Sequence, residues 1–202
     1  NRFRRSIYIE IYSSYFEYAF RRKNLIRLSE SFYFNNEFGK HKIFYQIAQG
    51  KNEKTPQAYI LILIPSGIYV LNVKNQSGKV VLKKHGDYKQ YYTEKGKKGQ
   101  ADKQHEYLFK NPMDESRFFA KRIEQRIGAT KIPVRSVIIF PEHAEITWDG
   151  TPENEIPVIH RKQLIQTLKE ENEKNERVLS DDQIDELYHL LADESIELEK
   201  NS

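Results

Sequence analysis

Two strand-length runs of mostly apolar residues, 57–64 and 68–74, flank Pro65-Ser66-Gly67. The first reads Gln-Ala-Tyr-Ile-Leu-Ile-Leu-Ile and the second Ile-Tyr-Val-Leu-Asn-Val-Lys. Both are rich in β-branched and aliphatic residues, both have strand length, and the residues between them are turn formers. Neither alternates with polar residues, as a strand with one wet face would. The pattern therefore predicts a hairpin buried on both faces, which only a sheet covered on both sides provides, and so an α/β chain. The second run carries an anomaly. Asn72 and Lys74 stand two apart near its end, on one face of the strand. Asn75-Gln76-Ser77-Gly78 then turns the chain. A lysine in an otherwise buried strand needs a cleft or a partner.

Periodicity places the remaining elements around this hairpin. Residues 8–28 read as an aromatic-rich helix with Tyr12, Phe16 and Ala19 on one face and Arg21, Arg22, Lys23 and Arg27 toward its C-terminal end. Residues 41–49 alternate as a strand. Residues 79–84 form a shorter strand, 87–92 an edge strand, 93–104 a Lys/Gly-rich loop and 105–109 another short strand. Asn111-Pro112 opens a helix to about residue 127 with Phe119, Ile123 and Ile127 facing the core. Residues 133–140 are a buried strand, and 145–148 a short one within a loop that runs to 157. A helix over 160–171 follows, with Leu164, Ile165 and Leu168 leading it, then a charged linker. Ser180 with Gln183 forms a capping box for a last helix running to about Leu191, whose apolar face is Ile184, Leu187 and Leu191. These elements suggest a main domain over 8–145, a helical extension over 158–193 packed on it, and a frayed tail over 194–202.

Composition removes several chemistries. There is no cysteine, hence no disulfide, thiolate zinc site or cysteine nucleophile. The six histidines, at 41, 85, 105, 143, 160 and 189, lack i, i+4 spacing, so no sequence-local zinc site is expected. No Gly-rich phosphate loop and no serine–histidine signature is present. No apolar run approaches the roughly 20 residues that span a bilayer. The charge is asymmetric: residues 1–110 carry 21 Lys/Arg against 9 Asp/Glu, and residues 111–202 carry 12 against 20. A first half at +12 suits an anionic partner such as nucleic acid or an anionic membrane surface; it is equally compatible with two halves that complement one another. The opening Asn-Arg-Phe-Arg-Arg suits either a frayed basic terminus or the cytoplasmic flank of a membrane segment upstream of residue 1. The expected location is the cytoplasm or the cytoplasmic face of a membrane.

Five pieces, in their order and separations, resemble the nuclease-related domain (NERD) of the PD-(D/E)XK superfamily. They are Gln57 at the start of the first run, Pro65-Ser66-Gly67-Ile68-Tyr69-Val70, Val73-Lys74-Asn75-Gln76-Ser77-Gly78, Asn111-Pro112, and Ser136-Val137-Ile138-Ile139-Phe140. The resemblance covers about residues 10–145. It implies a restriction-endonuclease-like core of helix, three-strand meander, helix and strand, to which this chain adds two C-terminal helices. It also implies metal-assisted phosphodiester hydrolysis, in which carboxylates hold Mg²⁺ and a lysine stabilises developing charge. The catalytic set carried over by the motifs is Lys74 with Glu17 of the first helix. The chain departs from the pattern at two acids: Tyr59 stands where an aspartate is expected after Gln57, and Asn72 where an acid should precede Lys74. The later NP-x-x-Gln pattern ends in Glu115. An amide brings one neutral oxygen to a hard cation and a neutral tyrosine brings no charge.

The resemblance therefore implies a vestigial site with no metal or other cofactor, in which Glu17 pairs with Lys74 while Gln57 and Asn72 hydrogen-bond across the hairpin. The expected role is a scaffold or interaction module with a protein partner, and with nucleic acid as a further partner of the basic half. The alternative is an active Mg²⁺-dependent DNase with migrated carboxylates, drawn from Glu10, Glu17 and Asp87. Lys79, Lys83, Lys84 and Lys89, interleaved with Tyr91 and Tyr92, form the candidate nucleic-acid contact; the same residues also suit a solvated sheet edge. Trp148 is expected to pack.

Overall fold

The computed structural model describes residues 37–48, 57–152 and 154–200. The helix expected over 8–28, with Glu10 and Glu17, lies outside them. The described elements are β1 (Lys42–Ala48), β2 (Gln57–Ile64), β3 (Gly67–Val73), β4 (Gly78–Leu82), β5 (Tyr88–Glu94), β6 (Lys103–Phe109), α1 (Pro112–Ile127), β7 (Val134–Phe140), β8 (Ala144–Trp148), β9 (Val158–His160), a 3₁₀ turn (Arg161–Gln163), α2 (Leu164–Lys174) and α3 (Asp181–Lys200). The mixed α/β class, the meander and the helix–strand order that follows it match the restriction-endonuclease-like expectation.

A five-stranded sheet has the order β1-β2-β3-β7-β9, antiparallel across the meander and parallel from β3 onward. Strand pleat sorts its side chains between two cores. Ile60, Ile62, Tyr69 and Leu71 face one side, where Leu168 of α2 joins them. Leu61, Leu63, Ile68 and Val70 face the other, against Phe119 and Ile123 of α1 and Ile184, Leu187 and Leu191 of α3. Burial on both faces is why the two runs lack polar alternation. The turn needs its glycine: Gly67 has φ +138°, and a Cβ there would stand 2.7 Å from the carbonyl oxygen of Pro133.

A second sheet, of order β6-β5-β4-β8, was not evident from the sequence. The parallel pair β3–β7 continues into the parallel pair β4–β8 across two short links, residues 74–77 and 141–143. Val80, Leu82, Tyr88, Phe140 and Ala144 close a third core with Met113 of α1, and Trp148 packs at its margin as expected. Gly78, at φ +73°, allows the change of direction; a Cβ there would lie 2.7 Å from the Tyr91 carbonyl oxygen.

Four expectations need correction. The segment 87–92 is not an edge strand, because β5 lies between β4 and β6. The loop expected over 93–104 is shorter, since β5 and β6 pair in register from Tyr88↔Phe109 to Glu94↔Lys103. Lysine, glutamine and glutamate hide this pairing because both faces of the hairpin's far end are wet. The helix expected from residue 160 starts at Leu164. Val158–His160 instead add a strand to β7, and the Gln163 side chain accepts a bond from the His160 backbone N–H at 2.8 Å. A strand of three residues is too short to register as a period. Finally, the last helix runs past Leu191 to Lys200. Its start is as read: the Gln183 N–H donates to Ser180 Oγ at 3.2 Å, and the Ser180 N–H donates to Gln183 Oε1 at 2.9 Å.

Candidate functional site

The anomaly at the end of β3 meets the first turn of α1. That helix starts where it does because Asn111 caps it, accepting the Met113 N–H at 2.8 Å, with Pro112 following. The Asn111 amide also donates to the Lys83 carbonyl oxygen at 2.9 Å, fixing the helix start against the end of β4. Asp114 and Glu115 occupy the first turn, where the helix dipole favours negative charge. Asp114 points outward, toward Arg117 and His85. Glu115 points inward and is 3% exposed.

Glu115 receives both polar groups of β3. Lys74 Nζ forms an ion pair with Glu115 Oε2, and the lysine side chain is 15% exposed. Asn72, 3% exposed, donates from Nδ2 to the same Oε2 at 3.1 Å, to Ser116 Oγ at 3.2 Å and to the Pro112 carbonyl oxygen at 3.3 Å. Ser136 of β7 donates to the Ser116 carbonyl oxygen at 3.4 Å, tying the next strand to the same turn. The two-residue spacing on β3 thus aims an amide and an ammonium at one carboxylate. Tyr88 is buried in the third core, to which Met113 of the same helix start contributes. Burial first, and then the Glu115 charge, push the Tyr88 phenol up from its ordinary value.

The other positions of the inherited motif do not add charge. Tyr59 is buried and stacks on Phe119, with ring centroids 4.3 Å apart and planes 13° from parallel. Continuing the β2–β3 register sets Tyr59 opposite Asn72, as a packed ring. Asp87 is exposed in the β4–β5 turn. Gln57 opens β2, but its side chain, like Glu17, lies outside the described residues. Among the described residues the partner of Lys74 is Glu115. The amide nitrogen of Asn72 donates to α1; the Gln57 side chain, its expected partner across the hairpin, is outside the described residues. The one signal for this in the sequence was the acid in place of glutamine at the end of Asn111-Pro112-Met113-Asp114-Glu115.

A hard dication takes several oxygen ligands, mostly charged. Among the described residues no group of three or more His, Asp or Glu is placed to hold a metal ion. The carboxylate at this pole already accepts from an ammonium and an amide. The described donor set therefore does not fit Mg²⁺.

The pleat of the second sheet divides the expected nucleic-acid patch. Lys79, Lys89 and Tyr91 share its outer face, whereas Tyr92 is on the inner face with Tyr88. Lys83 and Lys84 follow the end of β4. The outer face is not uniformly basic: Lys89 pairs with Glu106 at 3.0 Å and Lys83 with Asp149 at 3.3 Å. A hydrogen bond from Lys89, then one from Tyr91, hold the Glu106 carboxyl below its ordinary value. The inner face presents two further rings, His105 and Tyr107, that the sequence reading did not single out.

Comparison with known proteins gives no match among curated proteins and none among solved structures. The family profile for the nuclease-related domain, NERD, matches residues 22–141 of the 202, a span that contains the meander, the second-sheet hairpin, α1 and β7. With more than half of its length matched, the chain belongs to the nuclease-related domain family.

Proposed function

We propose that this nuclease-related domain has given up metal-dependent phosphodiester cleavage and works as an interaction module, with its old catalytic pole turned into a joint between sheet and helix. The observation that carries this reading is that Lys74 and Asn72 are both spent on Glu115. In a working site the lysine faces a phosphate and the neighbouring acids face a metal. Here the lysine's charge is neutralised within the protein, and Tyr59 fills an acid's place with packing against Phe119. Lys74 and Glu17 remain as vestigial members of the catalytic set, with Gln57, Tyr59 and Asn72 at the matching positions.

Both a protein and a nucleic acid are partners compatible with the charge asymmetry. No helix among the described residues is long and apolar enough to cross a membrane. Membrane attachment would come through a segment upstream of residue 1, at the cytoplasmic face. The alternative, a Mg²⁺-dependent DNase with migrated carboxylates, now has Glu115 as a further candidate ligand.

The test is a cleavage assay on the full chain with plasmid and single-stranded substrates, with Mg²⁺ or Mn²⁺ against a chelator control. No metal-dependent cleavage is expected. Cleavage that disappears in Lys74→Ala would overturn the reading. A triple variant, Tyr59→Asp with Asn72→Glu and Glu115→Gln, restores the family's charges. Metal affinity measured by calorimetry should then rise above that of the natural chain.

A further inference from the structure

The β5–β6 hairpin begins inside the protein and ends outside it. On its inner face Tyr88 is buried with Met113 and Phe140, and its ring centroid lies 5.6 Å from that of Phe109. Tyr107 follows at 6.4 Å from Phe109, and His105 at 6.4 Å from Tyr107 with ring planes 28° apart. Tyr92 stands opposite His105 in the ladder. The core thus runs out as a row of rings, and by its end Tyr107 is 49% and Tyr92 50% exposed. Residues 74–110 hold ten lysines against four acids, and Lys95, Lys97, Lys98 and Lys103 sit at the tip of this hairpin. Three of the four acids there are engaged locally: Glu94 pairs with His105 at 3.0 Å, Glu106 with Lys89 at 3.0 Å, and Asp102 accepts the Gly96 N–H at 2.9 Å.

We propose that the inner face of this hairpin is a track for a single-stranded polynucleotide, whose bases stack on Tyr107, His105 and Tyr92 while the tip lysines hold its phosphates. The proposal rests on the reading of the domain as a module that binds rather than cuts. Ring faces spaced two residues apart along a strand offer one platform per base, and every base has a face to stack regardless of sequence. A duplex hides those faces within its own stack, so it can use the lysines but not the rings. The partner is therefore single-stranded, and the excess of lysine over acid in this segment matches its charge. The track begins at Tyr88, in the core it shares with Met113 of α1, two residues before Glu115, so a bound strand would be led toward that end of the helix. The outer face of the same hairpin lacks such a row and commits Lys89 to Glu106.

The test is fluorescence anisotropy of labelled oligo-dT, oligo-rU and a duplex of equal length with the full chain, at low salt and in chelator. Single strands should bind more tightly than the duplex, with affinity falling linearly on a log–log plot against salt. Tyr107→Ala and Tyr92→Ala should each weaken binding about tenfold, with thermal unfolding unchanged because both rings are half exposed. Leu108→Ala, on the outer face, should leave affinity unchanged. Failure to bind either DNA or RNA single strands, preference for duplex, or a Leu108→Ala loss as large as that of Tyr107→Ala would overturn the proposal. Binding is read without divalent metal, so its failure is separable from any cleavage seen under the proposed function.

Discussion

The two sheets are made of strands of similar length, yet they bury their residues differently. In the first, β2 and β3 are closed on both faces, by α2 on one side and by α1 and α3 on the other. In the second, one face is closed near β4 and β8, and the β5–β6 hairpin then leaves the core. The first sheet is where the chain holds its fold. The second contributes an anchored base and a free end, and a surface that carries little stability is free to carry recognition chemistry. The pole of Asn72, Lys74 and Glu115 lies at the passage between them, where β3 gives way to β4.

The largest effect separating the two regions should come from equal truncations in each. Leu61→Ala removes a fully buried side chain from the first sheet and should cost about 2–5 kcal/mol in urea unfolding. Leu108→Ala, at a site 63% exposed on β6, should stay within about 0.5 kcal/mol. Comparable losses at both sites would break the contrast.

The pole should respond next. Glu115→Ala leaves the Lys74 ammonium and the buried Asn72 amide without their shared acceptor, and should cost about 3 kcal/mol. Glu115→Gln keeps an oxygen for both donors but loses the charge, so about 1–2 kcal/mol is expected. If the alanine variant unfolds at the same urea concentration as the natural chain, the pole is not the joint described above.

The smallest effect belongs to a surface tie of α3 to β1. Asp185 pairs with Lys40 at 2.7 Å and Lys42 at 3.2 Å, and these lysines, Lys40 first, hold its carboxyl below the ordinary value. A carboxyl lowered by folding contributes stability above its unfolded pKa, near 3.9 for a free aspartate, and loses it as pH falls through the lower folded value. Asp185→Asn should therefore show its small deficit at neutral pH and converge with the natural chain in acid. Because the pair is exposed, high salt should erase the difference. A deficit that persists in acid would point to packing rather than charge.

How much of this was legible in the sequence depended on burial. The hairpin over 57–74 was readable because two-sided burial imposes a continuous apolar run. α1 was readable from Asn111-Pro112 and its Phe119, Ile123 and Ile127 stripe, and α3 from its capping box, since both signals are local. β9 and the extent of β5 and β6 were not, because their pairing is set by partners distant in the chain and their own residues are mostly polar. At the pole, Lys74, Asn72 and Tyr59 were each legible as departures from or survivals of a motif. The partner of Lys74 was not, although Glu115 was visible as an acid where an amide was expected.

The sequence by itself determined the kind of sheet, the family and the neutral residues at Tyr59 and Asn72, because hydrophobic period, turn chemistry and motif spacing act over a few residues. Only the tertiary structure decided where the remaining charge went. Glu115 and Lys74 are 41 residues apart, with the whole second-sheet hairpin between them. Whether they meet depends on how α1 packs across β3 and on the turn that brings its first residues to the strand's end, which is a matter of packing geometry and not of local pattern.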